Sequence, residues 1–281
     1  MLSRMNNTAL LVHTCDRYEL LYKGFSFFFS ANWDFNTNCN LYFATEEKHV
    51  NIDGFENIQS GKGEWADRLR YLLQEKIKEK YVIYFQEDMW LTGKTDAAFF
   101  NQLFELAEKY NWQQLKLHSA DIYKTKPTET FIGDFNVAML DNEQSEYLMS
   151  HQVTLWNREF LINQLHKGEH PWRNERKGTK RLRKLSPQIF HVDYFDENDN
   201  PPINQNRPGI QRSGYFTVSL NGTFNENITR YIPLLKQGGL SEYAAKIEHN
   251  FTHQLVHDGK ARPKKTDIFK RIKNWIKRKK V

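Results

Sequence analysis

The sequence predicts an α/β protein with a mainly parallel central sheet flanked by helices, and three observations predict it. Short apolar runs, residues 9–13, 40–45 and 81–85, alternate with longer segments of helical period, the order expected of strands joined by crossover helices. The run Tyr-Val-Ile-Tyr-Phe at 81–85 is rich in β-branched and aromatic residues, as in a strand buried on both faces. It ends abruptly in Gln86-Glu87-Asp88 and resumes as Met89-Trp90-Leu91. Carboxylates at the carboxyl end of a buried strand are costly without a cation or strong hydrogen bonds, and ligands of open α/β sheets bind at that edge.

A chain of 281 residues with 14 % aromatics buries a sizeable core and is not of disordered composition. No apolar segment is long enough to span a bilayer, and the N-terminus lacks the apolar region of a signal peptide. Cys15 and Cys39 do not make a disulfide framework and fit reduced thiols in a cytosolic protein. The Asn-x-Ser/Thr sequons at Asn6, Asn221, Asn227 and Asn250 are then chance matches. The net charge divides unevenly. Residues 260–281 hold eleven Lys/Arg and one Asp, a net of +10, and subtracting this from the whole-chain +6 leaves −4 for the rest.

In chain order, residues 9–13 read as the first strand, 14–17 as a loop and 18–29 as a helix. A polar loop after the first strand is where α/β proteins place a nucleotide, which makes Thr14, Asp16 and Arg17 candidates for base and ribose contacts. A helix cap plus a surface ion pair fits the same residues. No Gly-rich phosphate loop is present. Residues 40–45 read as the second strand, with Glu46 and Glu47 at its carboxyl end. After Gly61 and Gly63 a helix is expected over 64–80, placing Arg68 near its start, within reach of phosphates. Strand 81–85 follows, then a helix over 95–110 capped by Thr95 or Asp96, and a strand over 114–118. Residues 119–131 read as a polar loop, 135–140 and 147–155 as strands, and 157–167 as a helix closed by Gly168. Residues 170–185 carry seven Lys/Arg and one Glu; a solvated basic face and nucleic-acid binding both fit them, and their closeness to Glu175 and Trp172 favours a loop that neutralises a substrate phosphate. A strand over 189–195 and a Pro/Asn-rich excursion over 196–214 complete the main body. In the tail, Ile268, Phe269, Ile272, Trp275 and Ile276 form one apolar stripe among Lys and Arg, the pattern of an interfacial membrane helix. Nucleic acid is not expected there, since phosphate contacts need no such stripe.

The stretches Leu11-Val-His-Thr-Cys-Asp-Arg17, residues 65–91, and Trp156-Asn-Arg-Glu-Phe-Leu161 leading to Pro171-Trp-Arg-Asn-Glu175 resemble GT-A-fold nucleotide-sugar glycosyltransferases of the bacterial surface-polysaccharide type, over about residues 8–195. The resemblance implies a GT-A-like sheet and an Asp-x-Asp motif whose last Asp holds Mn²⁺ or Mg²⁺ on the donor diphosphate. Asp88 stands at that position, and Gln86 stands where the first Asp would be. It also implies a general base at Glu175 and a donor site drawn from Thr14, Asp16, Arg17, Glu46, Arg68, Glu87, Asp88 and Arg176. The expected organisation is a catalytic domain at 1–195, an extension or lid with helices at 196–259, and a membrane-surface tail at 260–281. The expected activity is an inverting, metal-assisted sugar transfer to a glycan or lipid-linked acceptor, by a cytoplasmic protein peripheral on the inner membrane face. A metal-dependent phosphohydrolase using Glu87 and Asp88, and a non-enzymatic membrane or nucleic-acid adaptor, are the competing classes.

Overall fold

The computed structural model describes residues 6–202, 207 and 209–262; the expected amphipathic tail, 264–281, lies outside them. The chain divides into two compact units, Met1–Ser219 and Leu220–Val281.

The first unit is an α/β sandwich built on β1 (Thr8–His13), a wholly buried strand. Helix α1 (Glu19–Asn32) turns Leu21, Tyr22, Phe25, Phe28 and Phe29 inward. Next come β2 (Asn40–Thr45), β3 (Glu56–Gln59) and α2 (Trp65–Tyr71). Then follow β4 (Tyr81–Phe85), β5 (Met89–Leu91), α3 (Ala97–Tyr110) and β6 (Gln114–His118). Four short strands, β7 (Thr125–Lys126), β8 (Phe131–Ile132), β9 (Phe135–Asn136) and β10 (Ala138–Leu140), occupy the connection to β11 (Thr154–Asn157). The unit closes with α4 (Arg158–Gln164), α5 (Pro171–Leu185), β12 (Ile189–Glu197) and β13 (Ser213–Thr217).

The sheet order is β3-β2-β1-β4-β11-β6-β12-β10-β7, with β13 joining β12 to β5. β3, β2, β1 and β4 are parallel neighbours. β11 then runs antiparallel between β4 and β6, and β6 is parallel to β12. The α/β class and the helix-flanked central sheet are thus as expected, with parallel pairing concentrated on the β3-to-β4 side. One face packs aromatic side chains of α1 and α3: Phe25 on Phe43, Phe29 on Phe85, and Phe100 on Phe195. The other carries Leu11, Val82, Tyr84 and Trp156 against Leu69, Leu73, Leu161 and Leu182 of the helical segments beneath. β5 is seated by Trp90, whose ring stacks on Phe28 at 5.4 Å. A Cβ on Gly24 of α1 would lie 2.2 Å from that indole, so only glycine lets α1 come this close.

Two of three departures from the expected elements share a cause: side chains capture backbone groups that a regular element would use. The helix expected to run to residue 80 ends at Tyr71 and passes through a π-helical turn, Leu72–Lys76. There Arg158 Nη1 donates to Leu73 O at 2.7 Å, and Ile77 N bonds back to Leu72 O. The strand expected over 147–155 shrinks to four residues. The carbonyls of Tyr147 and Leu148 accept from Lys116 Nζ (3.2 Å) and Gln114 Nε2 (2.9 Å), while the amides of Met149 and His151 donate to Thr179 and Glu175. The basic segment 170–185 is helix α5 and not a loop. Pro171 opens it, His170 accepts from Arg173 N, and its cations point mainly to solvent, where helical spacing tolerates them.

The second unit is a helical hairpin, α6 (Ile228–Gln237) and α7 (Ser241–Thr252). Tyr231, Ile232 and Leu235 are buried with Ala244 and Ile247, and Lys236 pairs with Glu248 at 2.8 Å. No helix among the described residues is long and apolar enough to cross a membrane.

Candidate functional site

The pairings fix where chemistry can gather. β11 is antiparallel to both β4 and β6, so these two strands and β1, β2 and β12 all end at one edge of the sheet. Thr14–Arg17, Glu46, Glu87–Asp88, His118 and Glu197 sit there.

The loops after β1 and β2 are locked together. Asp16 accepts the backbone amides of Glu46 (2.9 Å), Glu47 (3.1 Å) and Lys48 (3.2 Å), while Glu46 accepts that of Asp16 (2.9 Å). Arg68, buried, donates to Thr14 O at 2.8 Å and lies 3.6 Å from Glu46. The Thr14 hydroxyl is shared between Tyr22 OH and Ala44 O. Thr14, Asp16, Glu46 and Arg68 therefore shape the rim by holding one another. Arg17 is exposed and folds over Tyr18, 4.9 Å from the ring centre.

Beside this rim, residues 86–89 form a tight turn, Met89 N donating to Gln86 O. Trp90 Nε1 donates to Glu87 O, and Val218 N to Asp88 O, so the backbone of both acids is fixed. The Glu87 side chain is buried and that of Asp88 half-buried. Burial, reinforced by the charge of Asp88, holds the Glu87 carboxyl well above the usual range, and burial lifts Asp88 to about 7. Among the described residues no cationic side chain pairs with either acid within 4.0 Å. Two adjacent carboxylates short of positive charge are what a divalent cation relieves.

Across the same edge a second polar group lies on the α2–α5 face. Tyr84, Thr154, Lys116 and His191 stand side by side in the strand register. Lys116 is fully buried; its Nζ donates to Tyr147 O and sits 4.8 Å over the Tyr123 ring. Burial lowers it to about 7, against the opposing pull of Glu175 and Glu197. Glu197, at the end of β12, is raised to about 8 by burial and lies 3.9 Å from His118 Nε2, which also contacts Tyr123 OH at 2.8 Å. Tyr215 OH donates to Gln152 at 2.9 Å. His13 and His151 flank Trp65, with His151 tilted against it at 4.2 Å between ring centres, and burial keeps both imidazoles neutral, His151 falling to about 3. The Nε2 atoms of both, and Thr154 Oγ1, have no hydrogen-bond partner among the described residues. Buried polar atoms so placed mark a site more than a core.

Glu175 reaches this group from α5, half-buried, accepting His151 N at 3.1 Å. Burial raises its carboxyl, opposed by that amide and by Lys116. Its approach depends on Gly178, where a Cβ would come within 2.7 Å of Met149. Arg176, by contrast, is exposed, its Nε 3.4 Å from Trp172 O. Six of the eight expected donor-site residues, Thr14, Asp16, Glu46, Arg68, Glu87 and Asp88, are gathered at the edge, with Arg17 at its surface and Arg176 turned outward. Lys116, His118, His151, Glu197 and Tyr215 complete the edge without having been singled out from sequence. Gln114, Lys116 and His118 alternate with Leu115 and Leu117, a pattern that by itself reads as a half-exposed strand, so no signal in the sequence marked them as buried.

A cavity of about 1280 Å³ opens at the other end of these strands, among Asn7, Asn40, Glu79, Asn101 and Glu108. Two of its three acids are already answered, Glu108 by Asn7 and Lys80 and Glu79 by Asn40 and Tyr42, and the third, Glu105, is exposed to solvent. The chemistry belongs at the carboxyl edge.

No family model matches the sequence, and no curated protein does. Solved structures do: TarS of S. aureus, residues 1–349, superposes with a TM-score of 0.46 at 9 % identity, over 87 % of this chain and 71 % of that one. A longer structure of S. aureus TarS gives 0.45 at 9 % identity, over 88 % of this chain, which spans only 43 % of that protein. A likeness at this level says nothing about chemistry, which the site's own groups must supply.

Proposed function

We propose that the protein is a glycosyltransferase that moves a sugar from a nucleoside-diphosphate donor to a hydroxyl of a glycan or lipid-linked acceptor, with inversion, in surface-polysaccharide synthesis. The observation that carries this reading is the pairing, on one sheet edge, of a fixed acidic turn short of positive charge with a separate carboxylate, Glu175, backed by a buried lysine. Asp88, with Glu87 beside it, would hold Mn²⁺ or Mg²⁺. Among the described residues no three His, Cys, Asp or Glu side chains gather for an ion, so one protein carboxylate, donor oxygens and water would make up the shell, as Mg²⁺ sites commonly do. A cation bound there supplies charge stabilisation for the departing diphosphate. The same sparse ligand set disfavours a two-metal phosphohydrolase.

The chain's own residues divide the remaining work. The locked Asp16–Glu46 loops and Arg68 form the wall against which a nucleoside rests. Glu175 takes the proton of the attacking hydroxyl, and Lys116 behind it favours its ionised form. Residues 264–281 bring the enzyme to an anionic membrane surface carrying a lipid-linked acceptor. Thermal-shift screening against nucleotide sugars, with and without Mn²⁺, identifies the donor. On that donor, Glu175→Gln lowers turnover by on the order of 10²- to 10⁴-fold with donor affinity kept. Near-normal turnover in this variant removes Glu175 as the base.

A further inference from the structure

Helix α5 has two unlike sides, and the proposed reaction uses only one. Of its seven Lys and Arg residues, two are engaged inward. Arg181 pairs with Glu169 at 3.0 Å and donates to Gln164 O, and Arg183 donates to Asn142 O (3.0 Å) and Ser145 O (2.9 Å). The helix's one acid, Glu175, also faces inward to His151. The five remaining cations, Arg173, Arg176, Lys177, Lys180 and Lys184, are all exposed. Among the described residues only Lys177 has an acidic partner, Glu169 at 4.0 Å.

From Arg173 to Lys184 this face runs about 16 Å, with a cation on every turn of about 5.4 Å pitch. Exposed apolar groups stand only at its two ends, Trp172 and Leu185. A surface that enters a bilayer needs a continuous apolar stripe, and here the middle of the face is wholly basic. Its first turns are the back of the turns that carry Glu175, so that carboxylate lies on the opposite side of the helix, and a chain along the outer face reaches it by passing round the N-terminal end of α5, a distance of about one helix diameter, ~10 Å.

We propose that the outer face of α5 is the docking track of an acceptor chain bearing repeated anionic groups, phosphate or carboxylate, whose terminal hydroxyl passes round the N-terminal end of the helix to Glu175. The inference rests on the glycosyltransferase reading for its last step alone; the docking stands without it. Repeated anions meeting a row of cations gain affinity by many weak, salt-sensitive contacts, and a row on a rigid helix keeps the chain in register.

The test uses the full chain and defined probes: linear inorganic polyphosphate, polygalacturonate, neutral dextran, and vesicles containing anionic lipid. The variant R173Q/R176Q/K177Q/K180Q/K184Q is compared with a control that loses the same charge elsewhere, K62Q/K76Q/K109Q/K236Q/K246Q, all exposed positions. Calorimetry should show polyanion binding weakened at least tenfold in the α5 variant and within threefold of wild type in the control. Dextran should not bind to any form. The stronger of polyphosphate and polygalacturonate identifies the anion. Glu175→Gln should bind the polyanion as wild type does, so a wrong base leaves the docking result intact. Equal polyanion binding by the α5 variant and wild type overturns the proposal, as does a loss confined to vesicle binding, which would make the face a membrane contact.

Discussion

Lys116→Met tests the organisation of the site most directly, because the prediction runs against the intuition that removing a central polar residue harms a protein. A lysine lowered from 10.5 to about 7 has lost about 3.5 pH units of preference for its charged form, and each unit is worth about 1.36 kcal/mol. The burial of the ammonium therefore costs the fold on the order of 5 kcal/mol wherever lysine is charged in the unfolded chain. The sign follows from linkage. Below about 7 both states carry the proton and the cost is complete; as pH rises from 7 towards 10.5 the folded state has already released it and the cost fades. Methionine fills nearly the same volume without the charge. It leaves Tyr147 O without its donor, a loss of about 1–3 kcal/mol. The variant should be roughly 2–4 kcal/mol more stable than wild type at pH 6, with the gap narrowing by pH 9.5. Urea unfolding at the two pH values measures it. A variant less stable than wild type at pH 6 would refute the reasoning and mean that Lys116 is held by a direct ion pair. In the same preparation turnover should fall, its acid limb moving to higher pH as Glu175 loses the neighbouring cation.

Three further outcomes are expected. Asp88→Asn should keep the fold and lose Mn²⁺-dependent nucleotide binding; unchanged donor affinity with Mn²⁺ present, by calorimetry, would remove Asp88 as the metal ligand. Gly24→Ala gains helix propensity yet drives a methyl into the Trp90 ring, and should destabilise by about 1–3 kcal/mol in thermal unfolding. Deleting residues 264–281 should abolish sedimentation with anionic liposomes while leaving the melting temperature nearly unchanged, and liposome binding that survives deletion places the membrane contact elsewhere.

The elements legible in the sequence were those whose residues pack against their own periodicity. β2, β4 and β6 begin and end where expected, β2 and β4 because their apolar runs have clear polar limits, β6 because Leu115 and Leu117 alternate with polar residues. Helix α5 was not legible: a segment with so many cations reads as solvent-bound loop. Its helicity depends on a narrow inner stripe, Asn174, Gly178, Thr179 and Leu182, too small to register as amphipathic by apolar spacing. The site divided the same way. Glu87 and Asp88 announce themselves as acids at the end of an apolar run. Lys116, Glu197 and His151 gain their chemistry only from burial by distant parts of the chain, and no local pattern encodes that a lysine will face Glu175 from another element.

The antiparallel insertion of β11 between β4 and β6 has a consequence for how the chain reaches this state. Strands β3, β2, β1 and β4 lie within the first 85 residues and can pair as soon as they exist. β6 cannot join them, because its place beside β4 is taken by a strand that follows it by some forty residues. During synthesis the aromatic run Tyr81–Phe85 is therefore an open, apolar sheet edge until residues 154–157 leave the ribosome, several seconds at about 5–20 residues per second. Over that interval its unpaired edge invites the wrong strand. Lys116, on β6, waits on the same event for its place in the sheet, and Glu175 and Glu197, which leave the ribosome later still, complete the carboxyl edge only after it.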